Sequence, residues 1–118
     1  MEEAKPGPEE IIQMNKKDYI IAEKLKASLA SEIDLIDLKV FGSRAVETND
    51  KFSDLDVYIQ VREINKQIKE KIYDIVWQIG YENDIFISAL IFTTDEITNS
   101  PMRASPIIKN IHEHGITI

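Results

Sequence analysis

The spacing of the apolar residues alternates between a helical period and a strand period along the chain. Apolar residues three or four positions apart predict a first helix, which begins near Pro8 or, after a break, at Asn15. Asn15, with Asp18 three residues on, matches an N-cap pattern. The buried side of this helix is expected to carry Tyr19, Ala22, Leu25 and Leu29.

Two strands are predicted on either side of a polar connection. The first covers residues 33–41 and becomes more apolar towards its end. The second covers residues 54–61 and alternates, so that Asp54, Asp56 and Tyr58 share one face. The connection is too polar to be core, and Asn49-Asp50 within it predicts a turn.

The second half of the chain begins with a wide apolar stripe over residues 65–81, which predicts a helix. Trp77 borders this stripe and is expected in the core or at its rim. Residues 85–92 are almost wholly apolar and predict a central strand that is covered on both faces.

The C-terminal region carries a helix start and a helix stop. A turn or a short helix begins at Thr94, and a last helix begins at Ser105-Pro106, with Ser as N-cap and Pro at the first helical position. Gly115 follows as the residue after the C-cap, and residues 116–118 offer a short edge strand. The predicted order is helix, strand, strand, helix, strand, helix and a terminal strand.

Length and composition indicate one globular domain. The chain has 118 residues, of which 43% are hydrophobic and 30% charged, enough apolar material for a real core. Residues 1–7 read as a flexible tail because prolines stand on either side of Gly7, and residues 8–118 form the domain. No apolar run is long enough to span a membrane or to act as a signal core, and we expect a cytoplasmic protein.

The charge balance and the lack of cysteine exclude several classes of function. Fourteen basic and 21 acidic residues give a net charge of −7, which disfavours binding to duplex nucleic acid. A nucleotide bound through a divalent metal remains open, because the metal supplies the positive charge. There are no cysteines, which excludes disulfides, thiolate metal sites and cysteine nucleophiles.

The candidate chemistry lies between residues 40 and 61. Asp54 and Asp56 point the same way from one strand, and a hard cation such as Mg²⁺ takes one or two carboxylates together with substrate phosphates. Gly42-Ser43 directly follows the preceding strand, and a glycine lets backbone N–H groups approach a phosphate. Arg44 has two interpretations: it binds phosphate, or it is an exposed arginine that pairs with Glu47 or Asp50.

These residues carry a resemblance to a known family. Gly42-Ser43, ten residues and then Asp54-x-Asp56 resemble the signature of the DNA polymerase beta-like nucleotidyltransferase superfamily. Within it, GSRA and SDLDVYI are similar to the minimal nucleotidyltransferases, or MNT domains. The resemblance implies an α/β (α+β) fold, a small mixed sheet with helices packed on it. It also implies that Gly42 and Ser43 contact the triphosphate and that Asp54 and Asp56 ligate Mg²⁺.

The same resemblance implies an activity and a partner. Many such domains transfer AMP from ATP to a hydroxyl. A number are paired with a small helical HEPN protein in a toxin–antitoxin system, where the MNT protein modifies a tyrosine of the HEPN toxin with AMP units and silences it. On this basis the chain is expected to need a HEPN-type partner, or self-association, to complete the acceptor side.

Two departures from the family pattern bear on activity. The family usually has a third carboxylate on the strand after the helix, near the position of Ser88 or Ala89 here. Asp84, at the start of that strand, is the candidate third catalytic carboxylate, and an ordinary strand-start aspartate is the alternative. Val46-Glu47 stands where many relatives have Arg-Gly.

Two different roles for the aspartate pair fit the sequence less well. A haloacid-dehalogenase phosphatase requires its first aspartate at the end of an apolar strand, whereas Asp54 stands at the beginning. An EF-hand loop counted from Asp50 has Leu55 where glycine is needed and Val61 where glutamate is needed. The alternative that stands is a catalytically weak or inactive module that neutralises or scaffolds a partner by contact.

Overall fold

The computed structural model describes residues 14–46 and 53–118. Its helices and strands, in chain order, are α1 (Lys16–Glu32), β1 (Leu35–Phe41), β2 (Leu55–Val61), α2 (Lys66–Glu82), β3 (Ile87–Thr93), α3 (Thr94–Asn99), α4 (Pro106–His114) and β4 (Ile116–Thr117). Two short 3-10 turns lie at Ser43–Ala45 and Pro101–Ala104. The expected tail at residues 1–7, the helix start near Pro8 and the turn at Asn49-Asp50 lie outside the described residues.

The four strands form one mixed sheet in the order β3-β2-β1-β4. β2 pairs antiparallel with β1 and parallel with β3, and β4 pairs antiparallel with β1. The predicted α/β (α+β) fold with a small mixed sheet is therefore confirmed. In this sheet Asp56 lies opposite Phe41 on one side and opposite Ser88 on the other.

Helices cover the two faces of the sheet unequally. α1 and α2 pack on one face and bury the larger core, which includes Leu25, Leu29, Leu38, Val57 and Ile72. On the face that carries Asp56, α4 buries a smaller cluster of Tyr58, Ile108 and Ile111. One end of this second face is left for the candidate site.

Side-chain caps set where α1 and α2 begin. The Asn15 side chain accepts a hydrogen bond from the Lys17 N–H at 2.8 Å, and the Asn65 side chain accepts one from the Ile68 N–H at 2.8 Å. The predicted inner face of α1 is confirmed, because all four of its apolar residues are buried. No helix within residues 14–46 and 53–118 is both long and apolar enough to cross a membrane.

Two expectations for the second half were wrong. β3 is an edge strand, not a central one, because β4 adds to the far side of β1 and leaves the outer edge of β3 open among the described residues. The apolar composition of β3 reflects packing on both faces rather than strands on both sides: Ala89 and Ile91 contact the larger core, and Leu90 and Phe92 contact the Tyr58 cluster.

The second wrong expectation concerns Trp77. It is neither core nor rim, since 66% of its surface is exposed, and its ring stacks on Tyr81 with the centroids 5.2 Å apart.

Candidate active site

Gly42 and Asp56 form the closest part of the site. Gly42 directly follows β1, and its neighbour Phe41 is the register partner of Asp56 on β2. The backbone of Gly42 has φ +78°, a conformation that glycine adopts without strain. A Cβ at this position would overlap the Asp56 Oδ2 atom. Glycine is therefore required here for both its backbone conformation and the space that it leaves beside the carboxylate.

A short 3-10 turn places Ser43 next to the start of β2. The turn is closed by hydrogen bonds from the Ala45 N–H to the Gly42 carbonyl at 3.1 Å and from the Val46 N–H to the Ser43 carbonyl at 3.3 Å. The Ser43 hydroxyl donates to the Ser53 hydroxyl at 2.9 Å. This bond joins the two ends of the β1–β2 connection, so the Gly-Ser turn and the aspartate pair lie on adjoining segments.

Asp54 and Asp56 are held in a partly buried position. Asp54 immediately precedes β2, Asp56 lies inside it, and both side chains are of intermediate burial. Burial raises the pKa of Asp56 above its usual value of 3.8, and the neighbouring Asp54 charge raises that pKa further. Two neighbouring carboxylates, beside a glycine that leaves room, are a donor set that fits a hard divalent cation.

Arg44 makes a contact that neither sequence interpretation foresaw. Its Nη1 atom donates to both carboxylate oxygens of Asp18 at 3.0 Å, and its Nε atom donates to the Ser53 carbonyl at 2.9 Å. The pair is largely buried, since Asp18 is only 5% exposed. Arg44 is therefore not an exposed arginine but ties the Gly-Ser turn to α1, while Glu47 and Asp50 lie outside the described residues. Phosphate binding by Arg44 stays a prediction.

Sequence reasoning missed Asp18 although a signal was present. Asp18 falls on the same helical face as Ala22, Leu25 and Leu29, all of which are buried. An acidic residue on an apolar helical face needs a cationic partner, because burying an unpaired carboxylate is costly. The only feature that the sequence could not supply was the identity of that partner, 26 residues away.

Ser88, not Asp84, is the β3 residue in register with the aspartate pair. Ser88 is the parallel register partner of Asp56. Asp84 lies in the turn between α2 and β3 with φ +55°, where it lines a groove with Trp77 and Tyr81. Among residues 14–46 and 53–118, no group of three His, Cys, Asp or Glu side chains could hold a metal. The structure thus brings Asp54 and Asp56 together but does not bring Asp84 to them.

Tyr58 packs beneath α4 on the same face of β2 as Asp56. It is fully buried, its hydroxyl donates to Gln60 Oε1 at 2.9 Å, and the His112 ring meets it edge-on at 5.3 Å between centroids. Burial, together with the Asp37 charge, raises the pKa of Tyr58 to about 12, so the phenol is neutral at physiological pH. Its role is to hold the strand under α4.

A Gly-Ser turn beside two strand carboxylates, on a mixed sheet packed with helices, defines the class of nucleotidyl-transfer domains. Residues 21–118 match the model of the nucleotidyltransferase domain family, and the chain belongs to this family. No curated protein matches the chain in sequence. The family supports the predicted polymerase beta-like superfamily, and with it a transferase that takes a nucleoside triphosphate and transfers its nucleoside monophosphate part.

Proposed function

We propose that this protein is an Mg²⁺-dependent nucleotidyltransferase that transfers AMP from ATP to an acceptor hydroxyl. The observation that carries the proposal is the contact between Gly42 and Asp56, which places a turn able to approach phosphate directly beside a pair of ionisable carboxylates. Family membership supplies the reaction class. ATP, rather than another triphosphate, follows from the resemblance to the minimal nucleotidyltransferases.

Each site residue has a distinct task in this proposal. Asp54 and Asp56 would hold the metal through their oxygens. Gly42 keeps the space beside Asp56 open, and the backbone and hydroxyl of Ser43 bind triphosphate oxygens. A Mg²⁺ ion held there would supply positive charge to polarise the phosphoryl group under attack and to stabilise the leaving pyrophosphate. Arg44 positions the turn, because its Nη1 atom holds the Asp18 carboxylate and its Nε atom holds the Ser53 carbonyl.

The acceptor in this proposal is a tyrosine hydroxyl of a HEPN-type helical protein, with an antitoxin role in the cytoplasm. The resemblance to MNT domains motivates this choice. The net charge of −7 is compatible with a basic protein partner and unfavourable for duplex nucleic acid. Since Ser88 is in register where a third carboxylate is expected, we propose that transfer is slow unless the partner supplies a base.

A second function has specific support. The structure does not bring Asp84 to the aspartate pair, and Arg44 is held by Asp18. Both features favour a module that binds nucleotide weakly or not at all and neutralises its partner by contact. The two functions differ in whether the partner's inhibition depends on Asp54 and Asp56.

Labelled ATP separates the two functions. Wild-type protein, Mg²⁺ and a HEPN-type partner are incubated beside Asp54→Asn and Asp56→Asn, with Asp74→Asn on the exposed side of α2 as matched control. The enzyme proposal expects label on a partner tyrosine with wild type and Asp74→Asn, and none with either site variant. If all four proteins neutralise the partner and none transfers label, the enzyme proposal is wrong and the contact module is right.

A further inference from the structure

Among the described residues, the outer edge of β3 is unpaired, and the strand carries none of the charges or prolines that usually protect an edge. Its seven residues, Ile87–Thr93, include no charged residue and no proline, and its register with β2 is unbroken. Natural edge strands are normally blunted by charges, prolines, bulges or a covering segment, because their unpaired backbone groups pair readily with another strand. Among the described residues, β3 pairs with β2 only.

The backbone groups that point outward can be assigned from the ladder. The Leu55 N–H donates to the Phe86 carbonyl at 2.9 Å, and Leu55 is the register partner of Ile87. Because a parallel ladder uses alternate residues of each strand, Ser88, Leu90 and Phe92 bond to β2. The outward N–H and C=O groups therefore belong to Ile87, Ala89 and Ile91, whereas the Thr93 N–H already donates to the Glu96 carboxylate at 2.9 Å.

Exposed aromatic side chains continue this edge onto α2. Tyr73, Trp77 and Tyr81 follow one another at four-residue spacing, and 48%, 66% and 74% of their surfaces are exposed. Phe86, just before β3, is 70% exposed. Together with Ile85 and Ile87 they line a groove of about 590 Å³. A second groove continues from Tyr73 past Lys66 and Lys69 along β3.

Opposite charges stand at the two ends of this surface. Asp84 lies in the groove at the start of β3. Lys66 and Lys69 lie in the groove along the later part of β3, because α2 runs antiparallel to the strand. Glu96 also lines this groove, and its carboxylate accepts a hydrogen bond from the Thr93 N–H. If the surface met a copy of itself related by a two-fold axis, Asp84 of each copy would face the two lysines of the other. This complementarity is local and exists despite the net charge of −7 on each chain.

We propose that the β3 edge surface, defined as β3, Phe86, Asp84 and the α2 residues Lys66, Lys69, Tyr73, Trp77 and Tyr81, binds a second copy of this chain. The two β3 strands pair antiparallel about a two-fold axis at Leu90, which pairs Ala89 of each copy with Ile91 of the other. The result is one continuous eight-stranded sheet. The lysines of each copy lie over the Trp77 and Tyr81 rings of the other, which suits cation–π contact.

Sedimentation of the full chain at increasing concentration tests the proposal, with the variants Ile91→Pro, Lys69→Glu, Asp84→Lys and the combined Lys69→Glu/Asp84→Lys. Wild type is expected at twice the chain mass. Ile91→Pro removes one outward N–H without removing a bond to β2, so it should abolish the dimer. Each charge reversal should weaken the dimer about tenfold, and the combined variant should restore it, because the reversed charges meet across the axis. Lys24→Glu on α1 is the matched control.

The proposal is wrong if wild type stays monomeric at every concentration, or if it associates only with a different protein. It is also wrong if the dimer persists in all variants, or if a dimer forms only after residues 1–13 are deleted. Circular dichroism establishes that each variant is folded. If Ile91→Pro does not fold, restoration by the combined charge reversal still decides between the β3 edge surface and another interface.

Discussion

No side chain fits between the α-carbon of Gly42 and the carboxylate of Asp56. The turn after β1 and the middle of β2 are brought together by the register of Phe41 with Asp56, so two residues 14 positions apart form one surface. The approach has a structural and a chemical consequence. It restricts position 42 to glycine, and it leaves the Asp56 carboxylate partly buried directly beside the backbone of the turn.

Gly42→Ala is expected to destabilise the fold by about 1–3 kcal/mol, because the new Cβ adopts a disfavoured φ and overlaps Asp56. It should also abolish nucleotide binding. Urea denaturation and ATP titration measure the two effects. Gly115→Ala is the control, since its Cβ would also overlap a backbone group, the Ile111 carbonyl, but at the C-terminal end of α4. Equal ATP affinity in Gly42→Ala and wild type would contradict the assignment of the turn.

Asp56→Asn should remove transfer activity. At neutral pH its fold should be as stable as that of wild type, or more stable by up to about 1 kcal/mol. Solvent screens the partly exposed Asp56 charge, which keeps this gain small. The reason for the gain is the raised pKa of Asp56, which reflects burial and repulsion by Asp54. The folded state holds this proton to higher pH than the unfolded state does. The contribution of Asp56 to stability therefore falls as pH rises from 3.8 through its raised folded pKa.

Unfolding midpoints measured against pH check the sign. Wild type should lose stability relative to Asp56→Asn as pH rises through that window without metal, and Mg²⁺ should recover it in wild type only. The opposite slope would show that the Asp56 charge is stabilised by a partner other than a metal.

Asp18 and Arg44 should be strongly coupled. Arg44→Ala leaves the Asp18 carboxylate without the guanidinium, and the expected loss is about 2–4 kcal/mol. Asp18→Asn/Arg44→Met should cost less than the sum of the two single variants. A double-mutant cycle by urea denaturation measures the coupling. ATP titration of Arg44→Lys, which keeps the charge but not the two-pronged contact, separates positioning of the turn from direct phosphate binding.

Ser88→Asp should increase transfer by at least about tenfold, because it places a carboxylate in register with Asp56. Without Mg²⁺ the same change should destabilise the protein, since a third like charge joins Asp54 and Asp56. Initial rates with labelled ATP measure the gain, with Ser88→Thr as the uncharged control. Asp84→Asn should leave the rate unchanged if Asp84 is only a turn residue, and a large loss would assign it to the catalytic site.

Tyr58→Phe tests the packing beneath the site. Loss of the hydrogen bond to Gln60 should cost about 1 kcal/mol. The pKa of Tyr58 is raised to about 12 from 10.0, so its contribution to stability is full below pH 10.0 and is lost as pH rises through about 12. Denaturation midpoints should fall less steeply in this range for Tyr58→Phe than for wild type. Identical slopes would place the alkaline transition on another tyrosine.

Most of the site could be predicted from the sequence because its signals are local. The Gly42-Ser43 pair at the end of one apolar run and the Asp54-x-Asp56 alternation at the start of the next describe a turn and a strand face directly. The helix starts at Asn15 and Asn65 are equally local, since each side chain caps a backbone N–H two or three residues on. Asp18 shows the limit: its burial was visible in the helical period, but its partner was not.

Strand order and surface exposure were decided only by the tertiary structure. The apolar run of β3 suits a strand covered on both faces, and nothing in it distinguishes a central strand from an edge strand. β4 settles the matter by pairing with β1, through Lys39 with Thr117 and Val40 with Ile116. That placement leaves the outer edge of β3 unpaired among the described residues and the Trp77 ring exposed. Such pairings join residues that are far apart in the chain. The spacing of apolar residues reflects only each residue's neighbours in the sequence, so it cannot predict them.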